Sequence, residues 1–388
     1  MDHEERLAAV RLHLTSGIGP RLFTALTEFF GSAKAAAEAG ERALAQVPGI
    51  GDATARKIHD GLADADPEAE LARAAAGGVT VVVRGTPEYP LALTYLYDAP
   101  PVLYIKGTIV PEDARAMAIV GMRKCSLYGQ DQAERLAGGL ARSGFTVVSG
   151  LARGIDSVAH KAAMDAGGRT LAVLGNGLGT VYPPENKTLA AAVVGRGALV
   201  SEFPMGIGPS AENFPRRNRI LAALALGTVV VEAGKQSGSL ITARLAAELG
   251  KEVFAVPNRV DCAGASGVHA LIRDGAKLVE SLADILDEFP DLATGSPNGG
   301  AVAEAAAPAA DGSSAAPRQA ALPLKPALSD DESLLLAALD GEPVPLDVLA
   351  TRTGLPAQKI SSALTMLELK GAVRAVPGGR FARRRAKD

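Results

Sequence analysis

The strongest constraint on the fold is an alternation of short apolar segments with amphipathic helices between Val79 and Val256. Each apolar segment is rich in Val, Ile and Leu, and helical patterns fill the intervals. Continuous apolar strands separated by helices are typical of a mostly parallel sheet that is covered on both faces. The predicted strands are Thr80–Arg84, Val102–Lys106, Ala116–Gly121, Thr146–Ser149, Thr170–Leu174, Ala198–Ser201, Thr228–Glu232 and Glu252–Val256.

This alternation predicts an α/β fold, with an extended, Rossmann-like, doubly wound and mostly parallel sheet over residues 79–290. The helices that cover the sheet include Asp131–Ser143, Ile155–Ala166, Lys187–Val194 and Leu240–Leu249.

Residues 1–78 are predicted to form a helical domain ahead of the sheet. Two Gly-Ile-Gly turns, within Ser16–Pro20 and Val47–Asp52, each precede an amphipathic helix and resemble the turns of a helix-hairpin-helix or SAM-like domain. Backbone N–H groups in such a turn hold a phosphate without reading sequence. The alternative is that the turns only join helices, and the residues leave both interpretations open.

The C-terminal part of the chain changes composition twice. Residues 291–327 are rich in Ala, Pro, Gly and Ser and are predicted to be a disordered linker. Apolar periodicity returns over residues 328–388, where three short helices precede a hairpin at Gly378-Gly379. This order predicts a winged helix.

Charge and cysteine content exclude several classes of protein. The 388 residues carry a formal net charge of -3, so a charged partner must be inferred from local patches. Cys125 and Cys262 cannot form a disulfide framework and are not grouped with histidines at metal-ligand spacing. No signal peptide or membrane-spanning run is evident. We expect a cytoplasmic protein with no membrane association, metal or cofactor.

One segment, Glu212–Arg219, concentrates positive charge beside a predicted helix that begins at about Asn218. Arg216, Arg217 and Arg219 are therefore expected on the loop side of the helix N-terminus, where the helix dipole and guanidinium groups favour anions. The alternative is a surface arginine cluster that pairs with acidic neighbours such as Glu212.

The loops that follow the predicted strands suggest what the sheet binds, because ligands of open parallel sheets lie beyond the carboxyl ends of the strands. These loops are rich in glycine and cations, and one also offers a ring for stacking, Tyr182. A row of phosphate-binding loops along one edge suits a polyanion. The loop residues concerned are Gly121, Arg123, Lys124, Ser149, Gly150, Arg153, Lys187, Gly238 and Ser239.

Common catalytic patterns are missing from the sequence. No Gly-x-Gly-x-x-Gly or Gly-Lys-Ser/Thr motif follows a strand, which argues against dinucleotide and nucleoside-triphosphate sites. His160 lies inside a predicted helix, where a structural hydrogen bond is the favoured interpretation. No catalytic residue is expected.

Five motifs together resemble the DNA-processing protein A family, also called DprA or Smf. The resemblance spans about residues 80–290 and implies binding of single-stranded DNA during natural transformation, loading of the RecA recombinase, and a homodimer. The motifs are Ile119–Arg123, Ser149–His160, Tyr182–Asn186, Phe214–Ile220 and Ser237–Ala243.

By this resemblance DNA contacts are expected from Arg123, Lys187, Arg217 and Asn218, with the Gly-Ser loops supplying backbone donors. Phe214, Tyr182 and Ile220 are candidates for base contact, and the predicted DNA site also includes Lys124, Arg153 and Arg219. Arg123 and Arg217 are expected to face the same strand of DNA, and neither is expected to belong to the protein core. Met122 stands where the family usually has Ser or Thr, which puts a hydroxyl contact in doubt.

Two other functions compete with this interpretation. A related group of nucleoside-monophosphate phosphoribohydrolases carries a glutamate where this chain has Thr242, so the carboxylate needed for that reaction is absent. In the other, the winged helix reads DNA, yet its last helix, Ala357–Lys370, offers only Lys359 and Lys370 as cations. The sequence therefore favours a sheet-edge site for single-stranded DNA.

Overall fold

A computed structural model describes residues 1–293, 329–339, 343–370, 372–376 and 380–383. The chain divides into two compact units, Met1–Gly300 and Ala301–Asp388. Most of the predicted linker, the Gly378-Gly379 hairpin turn and the basic C-terminal tail after Arg383 lie outside the described residues.

The first unit begins with a group of helices that pack on one end of the sheet. Gly19 and Gly51 directly precede two of them, as the Gly-Ile-Gly pattern predicts. Their buried side chains, such as Leu26 and Ile58, belong to a core that continues to Val81 and Val102 in the sheet. The helices are α1 His3–Leu14, α2 Pro20–Phe30, α3 Ala33–Ala37, α4 Glu41–Leu44, α5 Asp52–Asp64 and α6 Pro67–Ala76.

A nine-stranded sheet forms the centre of the unit, in the order β1-β2-β6-β5-β4-β3-β7-β8-β9. The strands are β1 Thr80–Val83, β2 Val102–Gly107, β3 Ala116–Val120, β4 Thr146–Ser149, β5 Thr170–Val173, β6 Gly197–Ser201, β7 Gly227–Val230, β8 Glu252–Ala255 and β9 Lys277–Leu278. Strands β3 to β9 are mutually parallel, whereas β2 runs antiparallel to both β1 and β6. The predicted α/β fold is confirmed.

Helices cover both faces of the sheet and bury two further cores. One face packs residues such as Leu136 and Ala159, and the other packs Ile220 and Ala243. The helices are α7 Leu91–Thr94, α8 Leu127–Arg142, α9 Ile155–Asp165, α10 Lys187–Arg196, α11 Asn213–Leu224, α12 Gly238–Glu248, α13 Ala265–Arg273, α14 Ala283–Leu286 and α15 Pro290–Ala293. Short 3-10 turns occur at Pro111–Ala114 and Pro184–Asn186.

The predicted start of α11 is wrong. The helix begins at Asn213 rather than near Asn218, with Pro215 in its first turn. Proline is tolerated there because the first N–H groups of a helix have no intrahelical partner. Arg216, Arg217 and Arg219 therefore lie within the helix instead of on a loop before it.

The second unit has the winged-helix arrangement that the sequence predicts. Ser329 and Glu332 form a reciprocal capping box at the start of its first helix. Its elements are α16 Asp330–Ala338, α17 Leu346–Thr353, α18 Ala357–Leu369, β10 Val344–Pro345, β11 Val373–Val376 and β12 Arg380–Arg383. Across both units, none of the described helices is long and apolar enough to cross a membrane.

Candidate nucleic-acid interface

A cleft opens at the carboxyl edge of the parallel strands, where the loops after β3, β4 and β5 meet the first turn of α11. Parallel strands end at the same edge, so residues distant in sequence are brought together there. Five of the side chains or glycines singled out in the sequence line the cleft, together with Ala152 and Pro183. The lining residues are Arg123, Gly150, Ala152, Arg153, Tyr182, Pro183 and Phe214.

Two aromatic rings and one guanidinium pack together in this cleft. The ring centroids of Tyr182 and Phe214 are 5.8 Å apart and the rings are tilted by 41°. The Arg123 guanidinium carbon lies 5.2 Å from the Phe214 centroid, within cation–π range. Phe214 in turn packs on Gly175, where a Cβ would lie only 2.8 Å from the ring. The cleft thus offers aromatic faces beside a positive charge.

A second cation of the cleft, Arg153, is partly neutralised. Its Nη2 and Nε donate to Glu185 Oε1 at 2.6 and 3.0 Å, and both side chains are more than half exposed. A hydrogen bond from its own backbone, followed by those from Arg153, holds the pKa of Glu185 below its usual value. Glu185 therefore competes, as a carboxylate, with any phosphate for Arg153.

Glu185→Gln should consequently tighten binding of a polyanion. The change removes one negative charge from the rim and frees Arg153, so we expect about a two- to fivefold gain in affinity for single-stranded DNA at low salt. Most of the gain should disappear in the Arg153→Ala background, because only the repulsion between Glu185 and the polyanion then remains to be relieved. Fluorescence anisotropy with a labelled oligonucleotide measures both, and an unchanged or lower affinity of Glu185→Gln would place the phosphates elsewhere.

Arg217 lies beneath the cleft and not on its surface. Its side chain is 5% exposed, and Nη1 donates to the carbonyl oxygens of Gly150, at 2.9 Å, and of Val173. Burial lowers its pKa to about 10. A Cβ at position 150 would lie 2.5 Å from the guanidinium, which explains the glycine. The expectation that Arg217 stands outside the core is wrong.

The loop after β4 is held from below by a buried carboxylate. Asp156 accepts hydrogen bonds from the backbone N–H groups of Gly150, at 3.1 Å, and Ala152, at 3.3 Å. Burial raises the pKa of Asp156, and the charge of Arg217 opposes that rise. Asn186 adds a hydrogen bond of 2.8 Å from Nδ2 to the carbonyl of Leu151. The cleft wall is therefore fixed before any ligand binds.

His160 is part of the interior. Its Nδ1 lies 2.7 Å from Thr170 Oγ1, and burial lowers its pKa to about 3, so the imidazole is neutral. This geometry gives it a structural role. Among the described residues, no group of three or more His, Cys, Asp or Glu side chains is arranged to hold a metal ion.

Several predicted contact residues are buried and engaged with the protein itself. Arg219 pairs with Glu202 at 2.5 Å and with Asp98 at 3.2 Å, which leaves its guanidinium in protein ion pairs. The Ser149 hydroxyl donates to the carbonyl of Ile119, at 2.6 Å. The others are also buried: Asn218, whose amide donates to Gly238; Ser239, whose hydroxyl meets that of Ser237; and Ile220, within the core.

The remaining predicted residues lie at the same edge but outside the lining of the cleft. Lys124 and Lys187 are exposed, Gly121 follows β3 and Gly238 begins α12. A Cβ at Gly264 would lie 3.1 Å from the sulfur of Met122, so this side chain is directed towards Gly264. The sequence did not single out Ala152, Asp156 or Glu185 individually. Only their positions within the motifs Ser149–His160 and Tyr182–Asn186 could have indicated them, because their roles depend on contacts that form in the folded protein.

Comparison with models of known protein families shows which family the chain is related to. The family model described as DNA recombination-mediator protein A matches residues 80–290, which contain the whole sheet and cleft. The chain belongs to this family. The resemblance predicted from the five motifs is thereby confirmed. Two further models match, the DprA winged helix domain over residues 304–379 and the SAM-like helix-hairpin-helix tandem over residues 12–64.

Individual members of the DNA recombination-mediator protein A family share much of the chain. Protein Smf of Escherichia coli (strain K12) is 42% identical over 299 residues, covering 77% of this chain and 76% of the relative. DNA processing protein DprA of Streptococcus pneumoniae is 44% identical over 201 residues, covering 52% of this chain and 71% of the relative.

Solved structures of the family support the fold. The crystal structure of DprA from Streptococcus pneumoniae matches with a TM-score of 0.65 and 33% identity, covering 74% of this chain and 98% of that one. DNA processing protein A from Helicobacter pylori, whose structure is described for its unique single-stranded DNA binding mode, matches with a TM-score of 0.50 and 27% identity. That match covers 55% of this chain and 96% of the Helicobacter chain.

Proposed function

We propose that the cleft binds single-stranded DNA without reading its sequence. The observation that carries the proposal is the convergence of Tyr182, Phe214, Arg123 and Arg153 from four separate segments into one cleft. Cations would hold the phosphate backbone, while the ring faces stack on bases that have no pairing partner. The single-stranded DNA binding mode described for the Helicobacter pylori relative supports it.

The cleft suits an unpaired strand better than a duplex. Stacking on Tyr182 and Phe214 requires base faces, which a duplex hides between neighbouring base pairs. The loops around the cleft also offer backbone N–H groups and cations, which contact phosphates and carry no sequence information directly. We therefore infer that the cleft prefers single-stranded to duplex DNA and does not discriminate between sequences.

We further propose the cellular role that the family resemblance implies. The protein would protect incoming single-stranded DNA in the cytoplasm during natural transformation and deliver it to the RecA recombinase, acting as a homodimer. Membership of the DNA recombination-mediator protein A family supports this role. Light scattering tests the dimer, and RecA filament formation on DNA coated with a single-strand-binding protein tests the loading.

A titration with three ligands tests the binding function. Single-stranded DNA should bind far more tightly than duplex of equal length, and a nucleoside monophosphate should bind weakly because it offers one phosphate and one base. The logarithm of the affinity for the single strand should fall with the logarithm of salt at a slope of about -0.7 per phosphate contact. Equal affinity for single strand and duplex would contradict the proposal.

The same titration distinguishes DNA binding from the alternative function, that of a nucleoside-monophosphate phosphoribohydrolase. Thr242, at the position where the phosphoribohydrolases carry their glutamate, is 2% exposed within α12 and supplies no carboxylate. We therefore propose that the chain is not an enzyme of that group. Tight binding of the nucleoside monophosphate, with release of its free base, would reverse this assignment.

Both lysines of α18 and its C-cap, Lys359 and Lys370, pair with carboxylates of α16, which makes this helix a weaker candidate reader of DNA. Lys370 donates to both oxygens of Glu332, at 2.7 and 2.9 Å. Lys359 lies 3.8 Å from Asp331. The cleft of the first unit remains the better supported site.

A further inference from the structure

A second aromatic surface lies outside the cleft, on α7 and the segment that joins it to β2. Leu91, Tyr95 and Tyr97, here called the tyrosine patch, are 70%, 77% and 80% exposed. By contrast, the neighbouring Tyr89 and Tyr104 are 5% and 0% exposed and belong to the core. The patch lies outside the hydrophobic core, so most of its apolar surface faces solvent.

The topology of the sheet places this patch at the edge that carries the cleft. Because β2 is antiparallel to β6, with Tyr104 opposite Ser201, the residues before Val102 lie where β6 ends. Only β6 separates β2 from β5, whose following loop carries Tyr182. Two strand spacings, about 10 Å, separate β2 from β5, so the patch and the cleft lie on neighbouring parts of the same edge, where one strand of DNA can contact both.

The patch repeats the chemistry of the cleft. The guanidinium carbon of Arg21, an exposed residue at the start of α2, lies 4.5 Å from the centroid of the Tyr97 ring. Arg123 has the same relationship to Phe214 in the cleft, at 5.2 Å. Both places therefore combine an aromatic face with a permanent positive charge, the combination that holds an unpaired nucleotide.

The surface between the cleft and the tyrosine patch also carries a positive charge. Arg216 is exposed and its guanidinium carbon lies 5.4 Å from the Phe203 centroid. Asp98, next to Tyr97, is paired with Arg219 of α11, the helix whose first turn carries Phe214. The Arg219 guanidinium is shared between Asp98 and the buried Glu202, so it offsets part of the carboxylate charge beside the patch, and it ties the tyrosine segment to the helix of the cleft.

We propose that the tyrosine patch and Arg21 form a second stacking station, which holds bases of the same single strand after it leaves the cleft across the end of β6. The proposal rests on the proposed function of the cleft and adds the direction of the strand. A protein docked on the patch is the competing occupant. It explains the exposed rings less well, because Arg21 stacked on Tyr97 matches the cation and ring of the cleft.

The chain contains no tryptophan, which permits a direct optical test. In the full-length Tyr97→Trp variant, an oligothymidine of about 16 nucleotides should quench the single tryptophan, whereas one of about four nucleotides, long enough for the cleft alone, should not. Leu278→Trp is the control. Leu278 is 42% exposed on β9, at the far end of the sheet, and should be quenched by neither.

Affinity gives the second readout. Tyr97→Ala should weaken binding of the long oligonucleotide about tenfold and leave the short one unchanged, with circular dichroism confirming the fold. If the short oligonucleotide does not bind wild type, the cleft proposal itself fails. Normal binding of both lengths by Tyr97→Ala, with no quenching of the Tyr97→Trp variant by the long one, would overturn the second station. Quenching of that variant by RecA in the absence of DNA, together with normal DNA affinity of Tyr97→Ala, would assign the patch to a protein.

Discussion

Arg217→Ala should lower the free energy of unfolding of the first unit by about 2–4 kcal/mol. Arg217 is 5% exposed, and its guanidinium donates to the carbonyl oxygens of Gly150 and Val173 at the ends of β4 and β5. Truncation leaves two buried acceptors without a donor and opens a cavity under the cleft, and these losses exceed the relief of an unfavourably buried charge. Urea unfolding followed by circular dichroism measures the change.

Arg216→Ala is the matched control for this loss. It removes the same side chain from the preceding position of α11, but Arg216 is exposed, so stability should change by less than about 1 kcal/mol. Equal stability of Arg217→Ala and wild type would show that the buried hydrogen bonds contribute little. Loss of DNA binding by Arg217→Ala is expected through the collapse of the cleft wall, so that variant alone does not identify a DNA contact.

Arg123→Ala should weaken binding of single-stranded DNA about ten- to a hundredfold, because a charge-assisted contact contributes about 1.5–3 kcal/mol. The side chain is exposed and lies on the Phe214 ring, so the fold should be unaffected. The slope of affinity against salt should become shallower by about 0.7 as one phosphate contact is lost. Anisotropy titrations at several salt concentrations give both quantities.

Arg196→Ala provides the control for net charge. Arg196 is exposed at the end of α10, immediately before β6 begins, and so lies at the opposite edge of the sheet. It should keep wild-type affinity apart from a weak long-range effect of charge. RecA loading should fall in Arg123→Ala and persist in Arg196→Ala. If Arg123→Ala is folded and binds DNA as tightly as wild type, the cleft is not the DNA-binding site.

The sheet and its functional edge could be predicted because they depend on local patterns. Apolar runs between helices locate β3 to β8 within a few residues, and the rule that ligands bind beyond strand ends then selects the loops of Arg123, Gly150 and Arg153. β9 was missed because Lys277–Leu278 is too short and too exposed to show an apolar pattern.

The burial of each arginine in α11 could not be predicted from such local patterns. Arg216, Arg217 and Arg219 are consecutive or nearly so, yet one is exposed, one donates to strand carbonyls and one pairs with Glu202 and Asp98. Their environments depend on the early start of α11 at Asn213 and on partners distant in sequence. Helical geometry turns neighbouring side chains to different faces, so a cluster in sequence is dispersed in space.

The direction of β2 also required the structure. An apolar run does not reveal whether a strand is parallel or antiparallel, and the sequence predicted only a mostly parallel sheet. Reversal of β2 brings the segment of Tyr95 and Tyr97 to the same edge as the cleft. A surface that reads as an ordinary connection in the sequence thereby becomes part of the proposed path of the strand.

Photo-crosslinking tests the central claim most directly. Single-stranded DNA that carries 5-iodouracil can be bound to the full chain, irradiated and digested, and the modified peptides identified by mass spectrometry. The account predicts crosslinks at Tyr182 and Phe214, whose rings are 5.8 Å apart in the cleft, and their loss in the presence of excess unlabelled single strand but not duplex. Crosslinks confined to the winged helix, or to the opposite edge of the sheet near Arg196, would contradict it.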